Sequence, residues 1–520
     1  MRITRHFLLV ICVLIISCLF VNVDAKADEK DFIVKAFHID LHIQVIKPDA
    51  LKKLVDELAK TGINTIVMEW EASYPYAKHA TLSNELAYTR EEVKSFVDYC
   101  HSKQIDVIPL QQCFGHVEYI LRNKRYSGLK EDMKEISQLC PMKSVADSIL
   151  FSELFQDLAD MHGSKYIHIG GDETYLLGHC KECAKKVEKE GRSKLFVDYM
   201  KMITNMVLKM GKIPVMWADI ILKYPEAAHE LPKETIFVDW NYGWKINYAA
   251  DINALQQQGF RFWGAPSIRS QPDNWYVTCW EKHLNNQRDF ISYARKADYE
   301  GIVMTSWSTT GIYGYVWDSM YEVVDMEQMR NTYPLSGFNI LISAYAKSLQ
   351  HKTPIDPRQF VIDYANEQFG FSVADAEKFI EALFSDIELI IEGKPSYSKS
   401  IKNVIRINDS ARKILYDLKP LKNQREFEHF RLMADLRALY LSFKEIEAVY
   451  NSDEYTIGKA GLLLPKLKIL INKSASLSKR FARLQKDFLF NSEIEDQNRI
   501  RNLPLTILYK RLKKTNNAKP

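Results

Sequence analysis

The sequence predicts a (β/α)8 TIM barrel followed by an all-α C-terminal region. Two observations carry that expectation. Eight short apolar runs alternate with amphipathic helical patterns between residues 35 and 306, and the alternation then gives way to helical patterns alone after about residue 350. A chain of 520 residues is also longer than one core usually grows. The expected division is a barrel over 31–350 and a helical domain of unassigned role over 351–520.

The eight runs are Lys35–Leu41, Ile63–Glu69, Ile105–Leu110, Tyr166–Ile169, Ile213–Trp217, Thr235–Trp240, Phe260–Ala265 and Gly301–Ser306. Each is short and nearly continuously apolar, as strands buried on both faces must be. Between them lie helical patterns at Pro48–Thr61, Arg90–Lys103, Val145–His162, Lys194–Met210, Tyr248–Gln258 and Gln287–Asp298. Leu51, Leu54, Val55 and Leu58 show the i, i+3, i+4, i+7 spacing that sets the helix reading. Only the gap between the fifth and sixth runs lacks a long helix. An open doubly wound sheet is the alternative. It would carry a glycine-rich phosphate turn after its first strand, where Asp40-Leu-His-Ile-Gln-Val45 stands instead. Later helices are expected at Phe360–Phe369, Ala374–Ile391, Lys402–Leu418, Gln424–Tyr450 and Gly461–Leu489, with Pro465 near the first turn of the last.

Met1–His6 is basic and Phe7–Val21 is apolar apart from Ser17, which reads as a signal peptide over 1–25 and an exported, periplasmic or secreted protein. Ile15-Ile-Ser-Cys18 also fits a lipoprotein signal, which would tether the chain to a membrane through Cys18. No later segment is long and apolar enough to span a bilayer. The net charge of +4 gives nucleic acid no footing as a partner. The oligomeric state is not legible. Six cysteines follow the leader, too few for a disulfide scaffold. His179-Cys-Lys-Glu-Cys183 looks like half a metal site, but no second Cys-x-x-Cys completes it. The expectation is therefore a loop staple or free thiols, with no metal and no organic cofactor.

Active sites of such barrels lie at the C-terminal strand ends. The fourth run ends His168-Ile-Gly-Gly-Asp-Glu-Thr-Tyr175. Its two glycines permit a tight turn, and its adjacent carboxylates, Asp172 and Glu173, repel one another. Desolvation of such a pair favours one acid beside one carboxylate. Acidic residues also gather at helix N-termini, but the barrel position favours the functional reading. Gln112 and His116 follow the third run, Glu69 and Glu71 the second, Trp217 and Asp219 the fifth, Trp240 and Tyr242 the sixth, and Trp307 the eighth. Several tryptophans beside carboxylates suit a pyranose, whose C–H faces lie on aromatic rings.

His168-Ile-Gly-Gly-Asp-Glu173 resembles the signature of glycoside hydrolase family 20, the β-N-acetylhexosaminidases, and within it the hexosaminidase D-like branch. His38-Ile-Asp-Leu41, Glu69-Trp-Glu-Ala-Ser-Tyr-Pro-Tyr76, Ile108-Pro-Leu-Gln-Gln-Cys-Phe-Gly-His116 and Thr305-Ser-Trp307 extend the resemblance, in order, over roughly residues 36–320. It implies exo-acting, retaining release of terminal N-acetylglucosamine or N-acetylgalactosamine from a glycan, with the substrate's 2-acetamido oxygen as nucleophile. It further implies Glu173 as general acid and base, Asp172 as the residue orienting the acetamide, and Trp217, Trp240 and Trp307 as walls. The family's usual tyrosine after the seventh strand is absent from Phe262–Ser267, leaving Tyr242 as the candidate replacement. Its sugar-gripping arginine after the first strand is also absent, leaving Asp40, Glu71 or Gln112. Two other readings stay open: a glycosidase with its own nucleophile, for instance Glu69 or Glu71, and a catalytically silent glycan-binding barrel.

Overall fold

The computed structural model describes residues 31–246, 252–270, 276–308, 315–317, 326–328, 330–391 and 394–517. The expected leader, including Cys18, lies outside them. Phe32–Pro520 forms one compact unit.

Eight parallel strands close into a barrel: β1 (Val34–Asp40), β2 (Thr65–Glu69), β3 (Asp106–Leu110), β4 (Tyr166–His168), β5 (Ile213–Trp217), β6 (Ile236–Trp240), β7 (Arg261–Ala265) and β9 (Gly301–Ser306), with β9 pairing back onto β1. A short β8 (Ser267–Arg269) continues the path of β7 beyond Pro266 and pairs with β9. The predicted barrel is therefore observed, and each predicted strand lies within two residues of its expected bounds.

Alternation along each strand sets what faces where. Val34, Ala36, Val67, Ile108, Leu110, Val215, Ile236, Val238, Trp263 and Val303 pack into an inner core. Phe37, Ile39, Ile66, Met68, Val107, Ile167, Met216, Phe237, Phe262 and Ile302 face outward into the larger core beneath the helices. Continuing the inward register toward the C-terminal ends leads from apolar residues to His38, Glu69, His168 and Trp217, all buried. The barrel thus changes from an apolar plug to a polar floor along its own axis.

Helices Pro48–Lys60, Arg90–Ser102, Ser144–His162, Arg192–Lys209 and Trp280–Lys296 form the outer layer. Thr89 opens the second with a reciprocal capping box to Glu92. Between β5 and β6 there are only the turns Ile221–Lys223 and Pro225–Glu230, as the pattern predicted. The helix expected over Tyr248–Gln258 spans only Asn253–Gln256 among the described residues, with Ile252 and Gln257–Gly259 in turns on either side; the part of the expectation over residues 248–251 lies outside them.

The C-terminal region is helical, with three departures from expectation. The helix expected to reach Ile391 ends at Leu383. Beyond it the buried Glu388 carboxylate accepts backbone N–H groups from Tyr397 and Ser398, and Ile390–Ile391 pairs with Lys394–Pro395, so local turn bonding displaces the helix. The helix expected to Leu489 ends at Gln485, and a further helix, Asn491–Asn517, follows it. Phe369, Phe379, Phe427 and Phe430 pack edge to face at the centre of the region. Trp280 against Phe430, and Tyr333 bonded to His429, join it to the barrel. The Lys47 amide donates to the Phe488 carbonyl, so the helical region also buttresses the loop after β1.

Candidate active site

Asp172 and Glu173 follow β4 on a turn that only glycine can make. Gly170 has φ +67°, and a Cβ there would lie 1.9 Å from the Gln112 Oε1 atom. A Cβ on Gly115 would meet the Asp172 carbonyl at 2.3 Å. These contacts bring the β3 and β4 loops together. His116, at φ +54°, comes to the carboxylate pair from the β3 loop, with Nε2 3.1 Å from Glu173 Oε2 and 3.5 Å from Asp172 Oδ2. Glu173 itself has φ +49°, a strained conformation for a side chain of its size. Its N–H donates to Asp219 Oδ2 at 3.2 Å, and its Oε1 accepts from the Tyr175 hydroxyl at 2.6 Å.

The charges in this group are interdependent. Burial raises the Glu173 carboxyl, but the His116 imidazole and the Tyr175 hydroxyl outweigh it, and the net shift is downward. Burial would lower His116, yet Asp172 and Glu173 override it and raise the imidazole well above its ordinary value. Burial, then the Asp172 charge, pushes Asp219 up to about 7. Below about pH 7 the site therefore keeps one proton on Asp219, and the second favours the His116 imidazole over the Glu173 carboxylate beside it.

Aromatic rings enclose the same mouth. Trp217 is only 1% exposed and stacks obliquely between His168 (4.4 Å) and Trp307 (5.8 Å). The Trp307 indole N–H donates to the Tyr242 hydroxyl at 3.0 Å, and Trp240 lies 5.2 Å from Tyr242. Trp244, which sequence reasoning did not single out, extends this wall at 5.4 Å from both. Burial holds Tyr242 protonated, and the Asp172 and Glu173 charges add to that effect. Asp172 Oδ1, Asp219 Oδ1, Thr174 Oγ1, and the indole nitrogens of Trp217 and Trp240 are buried without hydrogen-bond partners among the described residues. Buried polar atoms are normally paired, so a cluster of unpaired ones at a barrel mouth marks where a polyhydroxylated ligand would bind.

The remaining predicted residues form a second group. Asp40 accepts from the His42 amide (2.7 Å) and from the amide and hydroxyl of Ser308 (2.6 and 2.8 Å), tying the end of β1 to the end of β9. Glu71 lies against His42 in a buried contact, where burial lowers the imidazole to about 4 and raises the Glu71 carboxyl well above the usual carboxylate range, so the two meet uncharged. Gln112 donates to Glu69 Oε1 at 3.1 Å, and His38 lies 3.0 Å from Glu69 Oε2. Burial, opposed by His38, leaves Glu69 at about 7. Glu118 is buried without a hydrogen-bond partner among the described residues, and burial pushes it up to about 8. Sequence reasoning passed over His42, Glu118 and Tyr175. The last was legible as an aromatic two residues beyond Glu173.

A family model described as Glycosyl hydrolase family 20, catalytic domain, matches residues 34–333. Hexosaminidase D of Bos taurus is 25% identical over 290 residues, which cover 53% of this chain and 84% of that protein. Hexosaminidase D of Homo sapiens is 25% identical over 292 residues, covering 53% of this chain and 60% of its own length. Among solved structures, the β-N-acetylhexosaminidase from Bacteroides fragilis NCTC 9343 aligns with a TM-score of 0.48 at 18% identity, covering 64% of this chain and 69% of that one.

Proposed function

The chain belongs to glycosyl hydrolase family 20, and from that premise we propose that it is an exported, exo-acting β-N-acetylhexosaminidase. It releases terminal N-acetylglucosamine or N-acetylgalactosamine from glycans with retention of configuration. Export rests on the basic and apolar pattern of the first 25 residues. No helix among the described residues is long and apolar enough to cross a membrane.

The observation that carries the reading is the pairing of Asp172 and Glu173 through His116 at the barrel mouth. The nucleophile is the substrate's own acetamide oxygen, which attacks the anomeric carbon to form an oxazolinium. Asp172, with Oδ1 free of protein partners among the described residues, accepts the acetamide N–H and stabilises the positive charge as it develops. Tyr242 donates its hydroxyl to the acetamide oxygen. Glu173 takes up the proton it shares with His116 and passes it to the leaving oxygen, then acts as base toward the water that opens the oxazolinium. Asp219 keeps the strained Glu173 backbone in place through its N–H, and being largely protonated below about pH 7 it adds little charge beside Asp172. Trp217, Trp240 and Trp307 wall the sugar, while Asp40, Glu71 and Gln112 hold the loops around it.

A separate protein nucleophile has little support. Both oxygens of Glu69 are bonded, to His38 and Gln112, and burial raises the Glu71 carboxyl well above the usual carboxylate range, which disfavours the carboxylate a nucleophile needs. The test is Glu173→Gln. It should lower turnover by about 10²–10⁴-fold on substrates with poor leaving groups and by much less on activated aryl glycosides. Equal losses on both would remove Glu173 from the acid role.

A further inference from the structure

The Cys180-x-x-Cys183 pair, which the sequence leaves without further ligands, is completed in space by Cys140 and Glu131. The expectation of no metal rested on the missing second pair, and the fold brings two further donors from elsewhere in the chain. The three sulfurs and one carboxylate oxygen all lie within 4.8 Å of one another. Cys140 Sγ is 3.5 Å from Cys180 Sγ and 3.6 Å from Cys183 Sγ, and Cys183 Sγ is 3.2 Å from Glu131 Oε2. We propose that Glu131, Cys140, Cys180 and Cys183 bind one structural Zn²⁺ in tetrahedral Cys3Glu coordination.

The distances suit that ion. Zn–S bonds of about 2.3 Å and Zn–O bonds of about 2.0 Å place tetrahedral neighbours about 3.8 Å apart for two sulfurs and about 3.5 Å apart for sulfur and oxygen. Four donors already near those separations need only small shifts to close on a metal. Thiolates select a borderline-soft ion over magnesium or calcium, and four protein ligands leave no open position, the mark of a structural site.

The surroundings orient the ligands. Cys180 caps the helix Lys181–Glu190, and its sulfur accepts the Cys183 amide at 3.4 Å. Glu131 Oε1 is held by the Cys180 amide at 2.8 Å, which orients Oε2 toward Cys183. His179 is not a ligand, because it is half exposed and paired with Asp132 at 2.9 Å.

The site joins two loops that carry the chemistry. Glu131 and Cys140 lie on the β3 loop that presents His116, and Cys180 and Cys183 lie beyond Glu173 on the β4 loop. One direct bond already runs between them, from the Leu176 amide to Gln138 Oε1 (2.8 Å), while the Leu139 amide bonds the Phe114 carbonyl (3.0 Å) within the β3 loop. Zinc would fix the two loops relative to one another, at a site distinct from the one that binds sugar. The inference does not depend on the hydrolase reading.

The experiment is elemental analysis of the full chain purified without chelator, together with replacement of the metal by Co²⁺. The expected result is one zinc per chain and, with cobalt, thiolate-to-metal charge transfer and intense tetrahedral d–d bands. Cys183→Ser should abolish the signal. Glu131→Gln preserves size and is expected to fold, and it should lose zinc to a competing chelator at least about ten-fold more readily. Full retention of zinc by Glu131→Gln would overturn the ligand set. Zinc well below stoichiometry in folded wild-type protein would overturn the site, whether the thiols are then found free or Cys140 is found in a disulfide.

Discussion

Replacing Tyr242 by phenylalanine tests the proposed substitute for the tyrosine that the family resemblance places after the seventh strand. The phenol oxygen accepts the Trp307 indole N–H at 3.0 Å and also bonds the Thr305 side chain, whose own hydrogen goes to the Pro266 carbonyl, so the phenol hydrogen turns from Thr305 to meet a substrate. Burial keeps it protonated through the working pH range. If that hydrogen meets the acetamide oxygen, the lost interaction is a donor aimed at developing charge, for which removal costs about 10²–10³-fold in kcat. The substitution also leaves the Trp307 N–H without an acceptor, a stability loss of about 1–3 kcal/mol. The assay is steady-state hydrolysis of an aryl N-acetyl-β-glucosaminide beside thermal unfolding and the affinity of a thiazoline inhibitor. Both kcat and thiazoline affinity should fall while the protein stays folded. Unchanged kcat with a lowered unfolding temperature would refute the reasoning and make Tyr242 a packing residue.

Other consequences follow from the same geometry. Asp172→Asn should slow oxazolinium formation even with an activated leaving group, by about 10²–10³-fold; near-wild-type rates would remove Asp172 from the acetamide. Gly170→Ala should destabilise the fold and impair turnover, since the backbone is at φ +67° and the added methyl meets Gln112; an unchanged unfolding temperature would show that the β3 and β4 loops are not packed as described. Glu118 is raised to about 8 by burial, so between roughly pH 4.5 and 8 the folded state holds a proton that the unfolded state has released. Its contribution is complete below that window and is lost as pH rises through it, by up to about 5 kcal/mol. Glu118→Gln should therefore flatten the fall of unfolding temperature between pH 5 and pH 8, and an unaltered slope would contradict the buried carboxyl.

Strand and helix alternation made the barrel legible, because each parallel strand is apolar enough to stand out and the helices between carry a clear 3.6-residue period. Asp172, Glu173 and His116 were legible because rim residues directly follow strands. The buried floor of His38, Glu69 and His168 was less so, although continuing the inward register of β1, β2 and β4 leads to all three. What escaped was set by contacts distant in sequence. Cys140 meets Cys180 across 40 positions, and a local ligand count could not include it. His42 and Glu71 lie on different strand ends. The early end of the helix at Leu383 depends on Glu388 drawing amides from Tyr397 and Ser398, a competition that local helix propensity does not register.

The central claim is substrate-assisted hydrolysis. It is tested most directly by offering the protein aryl β-N-acetylglucosaminide and β-N-acetylgalactosaminide beside the matching glucoside and galactoside, with and without a thiazoline analogue. The account predicts cleavage of acetamido sugars alone, blocked by the thiazoline. Cleavage of the plain glycosides at comparable rates would contradict it, because those substrates lack the nucleophile.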